Sequence, residues 1–120
     1  MEMKRTVLLL LVLLINVFWT ACASQEVYYK AGSYEGSGNG HHGPIKVVVT
    51  TDEHNVTEIK ITEEYEMPEL SSIVYDKIPK RVIKTNSADV DVVAGATYTS
   101  EGLIEAIGDA LEKAYVNKKE

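Results

Sequence analysis

The chain contains one cysteine, one tryptophan, one phenylalanine and three prolines among 120 residues. A single cysteine excludes an intramolecular disulfide, so Cys22 needs an explanation other than cross-linking. Basic residues are also in deficit. Twelve Lys and Arg face 18 Asp and Glu, a formal charge of −6, which argues against nucleic acid as a partner. Nor is any apolar run long enough to span a bilayer, which takes about 20 residues. The longest, Thr6 to Trp19, is short and interrupted by Asn16.

What surrounds that run gives it a meaning. Lys4 and Arg5 precede it and Trp19-Thr20-Ala21-Cys22 ends it, the layout of an export leader. The ending resembles a bacterial lipobox, in which small residues precede a cysteine that is acylated and becomes the mature N-terminus; Trp19 stands where Leu is usual. Residues 1–22 are therefore expected to form a lipoprotein-type signal peptide with Cys22 lipidated. An ordinary cleaved leader, or an uncleaved anchor, is the alternative. Lipidation places the protein on the cell membrane, on its extracytoplasmic face, since two or more acyl chains anchor stably where one does not. Loss of Glu2, Lys4 and Arg5 with the leader makes the balance one unit more negative, so the domain should stand off anionic headgroups. Residues 23–27 form a short tether whose reach is under about 20 Å.

From residue 28 to 116 the pattern is that of one small α+β domain. Tyr28 to Glu35 reads as a strand, and the glycine-rich GSGNGHHG, Gly36 to Gly43, as a wide hairpin. IKVVVTT from Ile45 and VTEIKIT from Val56 read as two further strands of an antiparallel meander. After Pro68, Ser71 or Ser72 can cap a short helix to about Lys77, and Pro79 can open a second to about Thr85, with Ile73, Ile78, Val82 and Ile83 facing the sheet. Leu103, Ile104, Ile107, Leu111, Ala114 and Tyr115 recur at spacings of three and four, while Glu101, Glu105, Asp109 and Glu112 fall opposite. This predicts a C-terminal amphipathic helix, Ser100 to Tyr115, packed on the sheet, followed by a polar tail at 117–120.

Three places can carry chemistry. The glycines of the hairpin lie between two strands and not between a strand and a helix, which excludes a dinucleotide fingerprint. They are open to two readings, a bulged hairpin or close approach to a planar ligand. His41 and His42 are adjacent and expected on opposite sides of a strand, and no Cys or carboxylate cluster accompanies them at ligand spacing, so no metal site is expected. The loop VVAGATYTS is the richest. One of Thr97, Thr99 or Ser100 can cap the following helix, which leaves a surplus hydroxyl beside the nearly side-chain-free Gly95 and Ala96. A helix N-terminus also favours phosphate.

The segment DVVAGAT, Asp91 to Thr97, resembles the Asp-x-x-Ser/Thr-Gly-Ala-Thr flavinylation motif of bacterial FMN-binding domains, as in flavin subunits of the sodium-translocating NADH:quinone oxidoreductase and the related ferredoxin-oxidising complex. YKAGSYEGSGNGHHGPIKVVVT is similar to that family's opening hairpin and second strand, YEMPELSS stands where Glu-Thr-Pro-Gly is common, and DVDVVAGATYTSEGLIEAI matches the final loop and helix. The resemblance implies that residues 28–116 are an FMN-binding domain. It further implies that a Mg-dependent flavin transferase using FAD joins FMN covalently to Thr97. Asp91, Gly95, Ala96, Tyr98 and Thr99 would then surround the attachment point, and Gly38, Gly40 and His42 would contribute from the hairpin. Three departures stand out: Ala94 replaces Ser or Thr, and Met67 and Glu69 replace Thr and Gly, the last placing charge near the presumed ring. With no compelling acid, base or nucleophile for a substrate, the expectation is an electron carrier serving a membrane redox partner and not a self-sufficient enzyme. A noncovalent FMN binder or flavin reductase module, and a cofactor-free lipoprotein of the same fold, are the alternatives.

Overall fold

In a computed structural model, residues 6–7 and 27–116 are described. The expectations for the leader, for Cys22, for the tether up to residue 26 and for the tail lie outside the described residues. β-branched residues at alternate positions make the central strand. In β2 (Pro44–Thr51), Ile45, Val47, Val49 and Thr51 are buried and the residues between them point away. β1 (Gly32–Asn39) and β3 (Val56–Glu63) flank it in an antiparallel sheet of order β1-β2-β3. The β2–β3 ladder shifts register at Lys46/Val47 and Thr50/Thr51, whereas β1 and β2 pair without a bulge.

Two 18-residue helices cover the sheet. α2 (Thr97–Ala114) lies along β1 and β2, and α1 (Pro68–Thr85) packs against α2 and β3. The α+β architecture with a C-terminal amphipathic helix is as the sequence predicts. Leu103, Ile107 and Leu111 enter a core shared with Val74, Ile78 and Val82 of α1 and the inward residues of β2.

The expected boundaries move in four places. β1 begins at Gly32 and runs through the glycine-rich segment to Asn39, so only residues 40–43 form the hairpin turn. Tyr28 to Lys30 pair instead with the end of α2, through a Tyr29–Tyr115 bridge and a 2.8 Å bond from Lys30 N–H to Ala114 O. α1 is a single helix with Pro68 in its first turn and Pro79 inside it. One buried stripe, Val74, Ile78 and Val82, runs through that proline and outweighs the single backbone bond it removes; Ile73 and Ile83 stay exposed. α2 starts three residues earlier than expected, at Thr97.

The glycines of β1 have a packing role. A Cβ on Gly36 would collide with Ala106 O and Ala110 N, and one on Gly38 with Gly102 O and Ala106 N. Alternate glycines on the strand thus meet Gly102, Ala106 and Ala110, spaced four apart on α2, and the two backbones approach closely. The carboxylates of α2 then reach the outer edge of β1. Asp109 Oδ2 accepts from Ser37 N–H at 3.0 Å and Glu105 Oε2 from Asn39 N–H at 3.5 Å. Those two acids are not a purely solvated face, because they satisfy edge amides that would otherwise be open to pairing. Among the described residues no helix is long and apolar enough to cross a membrane.

Candidate functional site

The close packing of β1 on α2 carries the hairpin turn to the start of α2. Gly95, at φ 83°, turns the chain into the helix in a conformation that a side chain would strain, and nothing lies within 4 Å of where its Cβ would be. Ser100 holds this loop from inside. Fully buried, its Oγ donates to Ala96 O at 2.7 Å and accepts from Val93 N–H at 3.0 Å.

Thr99 is committed as well, since its hydroxyl donates to Glu66 Oε1 at 2.9 Å. None of the three hydroxyl residues caps α2. The N-cap is Ala96, with no side-chain hydrogen bond to the first turn. This corrects the expected cap, and the reason is that both inner hydroxyls have other partners. The first backbone bond of the helix is Ser100 N–H to Ala96 O. Thr97 is exposed and, among the described residues, its hydroxyl makes no hydrogen bond. It stands beside the amides of an uncapped helix N-terminus.

A cleft of about 220 Å³ opens there, lined by His41 and His42 from the turn, Met67 and Leu70 from the start of α1, and Gly95, Ala96, Thr97, Tyr98 and Thr99. The His41 ring stacks on Tyr98 with centroids 5.4 Å apart and planes 23° from parallel. His42 meets His41 edge-on at 4.5 Å. The two histidines lie in the turn and both line the cleft, not on opposite faces of a strand as expected. Met67, Leu70 and Tyr98 are exposed, Tyr98 at 68%, so the cleft has an apolar and aromatic rim.

Behind it lies Glu66, 6% exposed. Its Oε1 accepts from His41 N–H at 2.6 Å and its Oε2 from His42 N–H at 2.7 Å, in addition to the Thr99 bond. Burial pushes this carboxyl's pKa up, but the two amides, the Thr99 hydroxyl and the nearby His42 outweigh it and hold the group below the usual carboxylate range.

Of the residues the sequence singles out, Gly95, Ala96, Thr97, Tyr98, Thr99 and His42 are brought together in the cleft. Gly38 and Gly40 are not in its wall. Gly38 packs against α2, and Gly40 leaves room for Glu66, whose Oε1 would lie 2.5 Å from a Cβ there. Asp91 is also outside the cleft; its carbonyl accepts from Arg81 Nη1 at 2.8 Å, which fastens the loop to α1. The charge expected from Glu69 does not line the cleft either, because the helical turn presents Met67 and Leu70 instead. Sequence reasoning missed His41, Leu70 and Glu66. The available signal for Glu66 was its place as the Glu of the segment resembling Glu-Thr-Pro-Gly. No group of three or more His, Cys, Asp or Glu able to hold a metal occurs among the described residues.

A family model described as the FMN-binding domain matches residues 40–112. The chain is similar to NADH:acrylate oxidoreductase of Vibrio harveyi, 25% identical over 93 residues, which cover 78% of this chain and 9% of that protein. It is 26% identical over 90 residues to urocanate reductase of Eggerthella lenta, covering 75% of this chain and 15% of the relative. A protein of Treponema pallidum (strain Nichols), described as uncharacterized, is 29% identical over 92 residues, 77% of this chain and 25% of its own length. The chain thus spans a quarter or less of the length of these curated relatives.

Proposed function

The chain belongs to the FMN-binding domain family, and from that premise we propose that it carries FMN covalently on Thr97 as a membrane-anchored electron-transfer flavoprotein. One observation carries the reading. Thr97 offers an exposed, unbonded hydroxyl at an uncapped helix N-terminus, while Thr99 and Ser100 are fixed inward. Those residues fit the group. The first amides of α2 have no side-chain cap and suit a phosphate, and Gly95 and Ala96 leave the approach to Thr97 clear.

Attachment follows the chemistry of a flavin transferase acting on FAD with Mg²⁺. In that transfer Thr97 Oγ1 would form the bond to the phosphorus on the riboflavin side, with the pyrophosphate P–O bond breaking and AMP and the hydroxyl proton leaving. His41, His42, Met67, Leu70 and Tyr98 supply an aromatic and apolar seat for the isoalloxazine. At about 220 Å³ the cleft is smaller than the roughly 300–1,000 Å³ of sites that enclose a ligand. A flavin seated there would be held in part and left accessible in part to another protein. When bound, FMN accepts and releases one or two electrons. The chain supplies position and electrostatics to it, and the donor and acceptor belong to a redox partner at the membrane.

Lipidation of Cys22 supplies the anchor in this reading, supported by the leader that precedes it. Intact mass decides the cofactor question. Full-length chain produced with a flavin transferase should gain the mass of FMN less water, keep it through denaturation, and lose the gain in Thr97→Ala. Flavin released on denaturation would instead identify a noncovalent binder, the outcome that Ala94 favours. A colourless chain of unmodified mass would end the flavoprotein reading.

A further inference from the structure

Two successive backbone N–H groups aimed at one point form an anion-binding nest. In the hairpin turn that nest, from His41 and His42, is filled by the chain's own Glu66 carboxylate at 2.6 and 2.7 Å. The same carboxylate takes the Thr99 hydroxyl of α2 at 2.9 Å. One buried anion thereby ties together the two walls of the cleft, one built on a turn and the other on a helix. Gly40 is matched to it, since any side chain there would displace Oε1. The His41 and His42 amides of the turn are thus neutralised internally, whereas the N-terminus of α2, which lines the cleft, has no side-chain cap.

We infer that Glu66 is a positioning residue for the flavin, latching the hairpin turn to the first turn of α2 so that the His41–Tyr98 pair is held as a rigid seat beside Thr97. This inference rests on the flavin reading for its cofactor, whereas the latch itself can be examined without one. Among the described residues, the charged and titratable groups that face Glu66 are His41 and His42 from the turn, Glu64 just after β3, whose Oε2 accepts from Glu66 N–H at 2.9 Å, and Tyr75 of α1, which donates to the same Glu64 oxygen at 3.0 Å. The Glu66 carboxylate is hydrogen-bonded to both walls, to the two turn amides and to the Thr99 hydroxyl.

The test uses the full chain in detergent, wild type beside Glu66→Gln, Glu66→Asp and the exposed neighbour Glu69→Gln. In ligand-free wild type, the His41 and His42 amide protons should be shifted downfield and slow to exchange, and should lose both properties together as the carboxyl is protonated in acid while the core signals stay native. Glu66→Gln should abolish this titration, and Glu69→Gln should leave it intact. After flavinylation, the flavin fluorescence quenched by the adjacent aromatic rings should recover in Glu66→Gln, with partial restoration of quenching in Glu66→Asp. Amide signals that do not titrate in wild type overturn the latch, even if Glu66→Gln fails to fold. A lost titration with unaltered flavin fluorescence overturns its positioning role. If wild type takes no flavin, the flavin reading and with it the positioning role fail, and the amide titration then reports on the latch alone.

Discussion

At the scale of single residues, most of the decisions at this site are made by hydrogen-bond commitments that leave one group free. Ser100 and Thr99 resemble Thr97 in chemistry, but one is fixed to the loop carbonyl and the other to Glu66. Glu66 carries a consequence for stability. Its pKa is lowered in the folded chain from the ordinary value of 4.5. Its contribution is therefore fully present above that value and lost as pH falls through the lower folded value. Urea unfolding should show Glu66→Gln less stable than wild type by about 1–3 kcal/mol at neutral pH, the usual cost of leaving buried donors poorly paired. The gap should begin to narrow as pH falls below the ordinary carboxylate value, where the unfolded chain takes up the proton, and close once the folded carboxyl is protonated as well. Asp52, lowered by the Asn55 and His54 amides, and Glu63, lowered by the Tyr65 hydroxyl and Lys46, titrate in both proteins, so the difference isolates Glu66. A gap constant from pH 7 to pH 3 would contradict this assignment.

At the scale of elements, the glycine stripe of β1 decides where the cleft lies. Because Gly36 and Gly38 admit α2 to backbone contact, the hairpin turn and the first turn of the helix become neighbours. Gly38→Ala should destabilise the domain by about 1–3 kcal/mol through overpacking, and Gly102→Ala should do the same from the other side. Either change pushes the walls of the cleft apart, so flavinylation of Thr97 should slow while the isolated Thr97→Ala change leaves stability nearly untouched. Chemical denaturation and the rate of mass gain measure the two effects separately. β2, β3 and α2 were legible in the sequence, because β-branched alternation and a period of three to four report burial directly, whereas β1, without a β-branched residue, was expected four residues too early. The meaning of the glycines was not, since a small residue packed against a helix looks the same as one in a loose turn. The continuity of α1 through Pro79 was hidden for a related reason, the stripe Val74, Ile78 and Val82 overriding a local breaker. Thr97 and its neighbours were found through their motif. Glu66 escaped because its segment's resemblance to Glu-Thr-Pro-Gly does not say what the carboxylate touches, and only folding brings residues 41, 42, 66 and 99 together.

At the scale of the whole molecule, the cleft and the point where the chain enters the domain lie at opposite ends of the same two elements. β1 runs from near Lys30 to the hairpin turn, and α2 runs back from Thr97 to Ala114, which bonds to Lys30. Eighteen helical residues separate those ends by about 27 Å. With Cys22 lipidated as proposed, the tether reaches under about 20 Å and holds the Val27 end near the bilayer. The acidic balance of the chain, −6 before and one unit more negative after loss of the leader, opposes tipping the domain onto an anionic surface. A flavin on Thr97 should then face away from the membrane, and a redox partner embedded there must present its own centre above the headgroups. The flavinylated lipoprotein in anionic vesicles should be quenched by aqueous iodide and little affected by a nitroxide attached to the lipid headgroup. Cys22→Ser should abolish vesicle association without altering the iodide response. Strong quenching by the headgroup probe at low salt would place the flavin against the bilayer, and the partner would then have to be sought within the membrane surface itself.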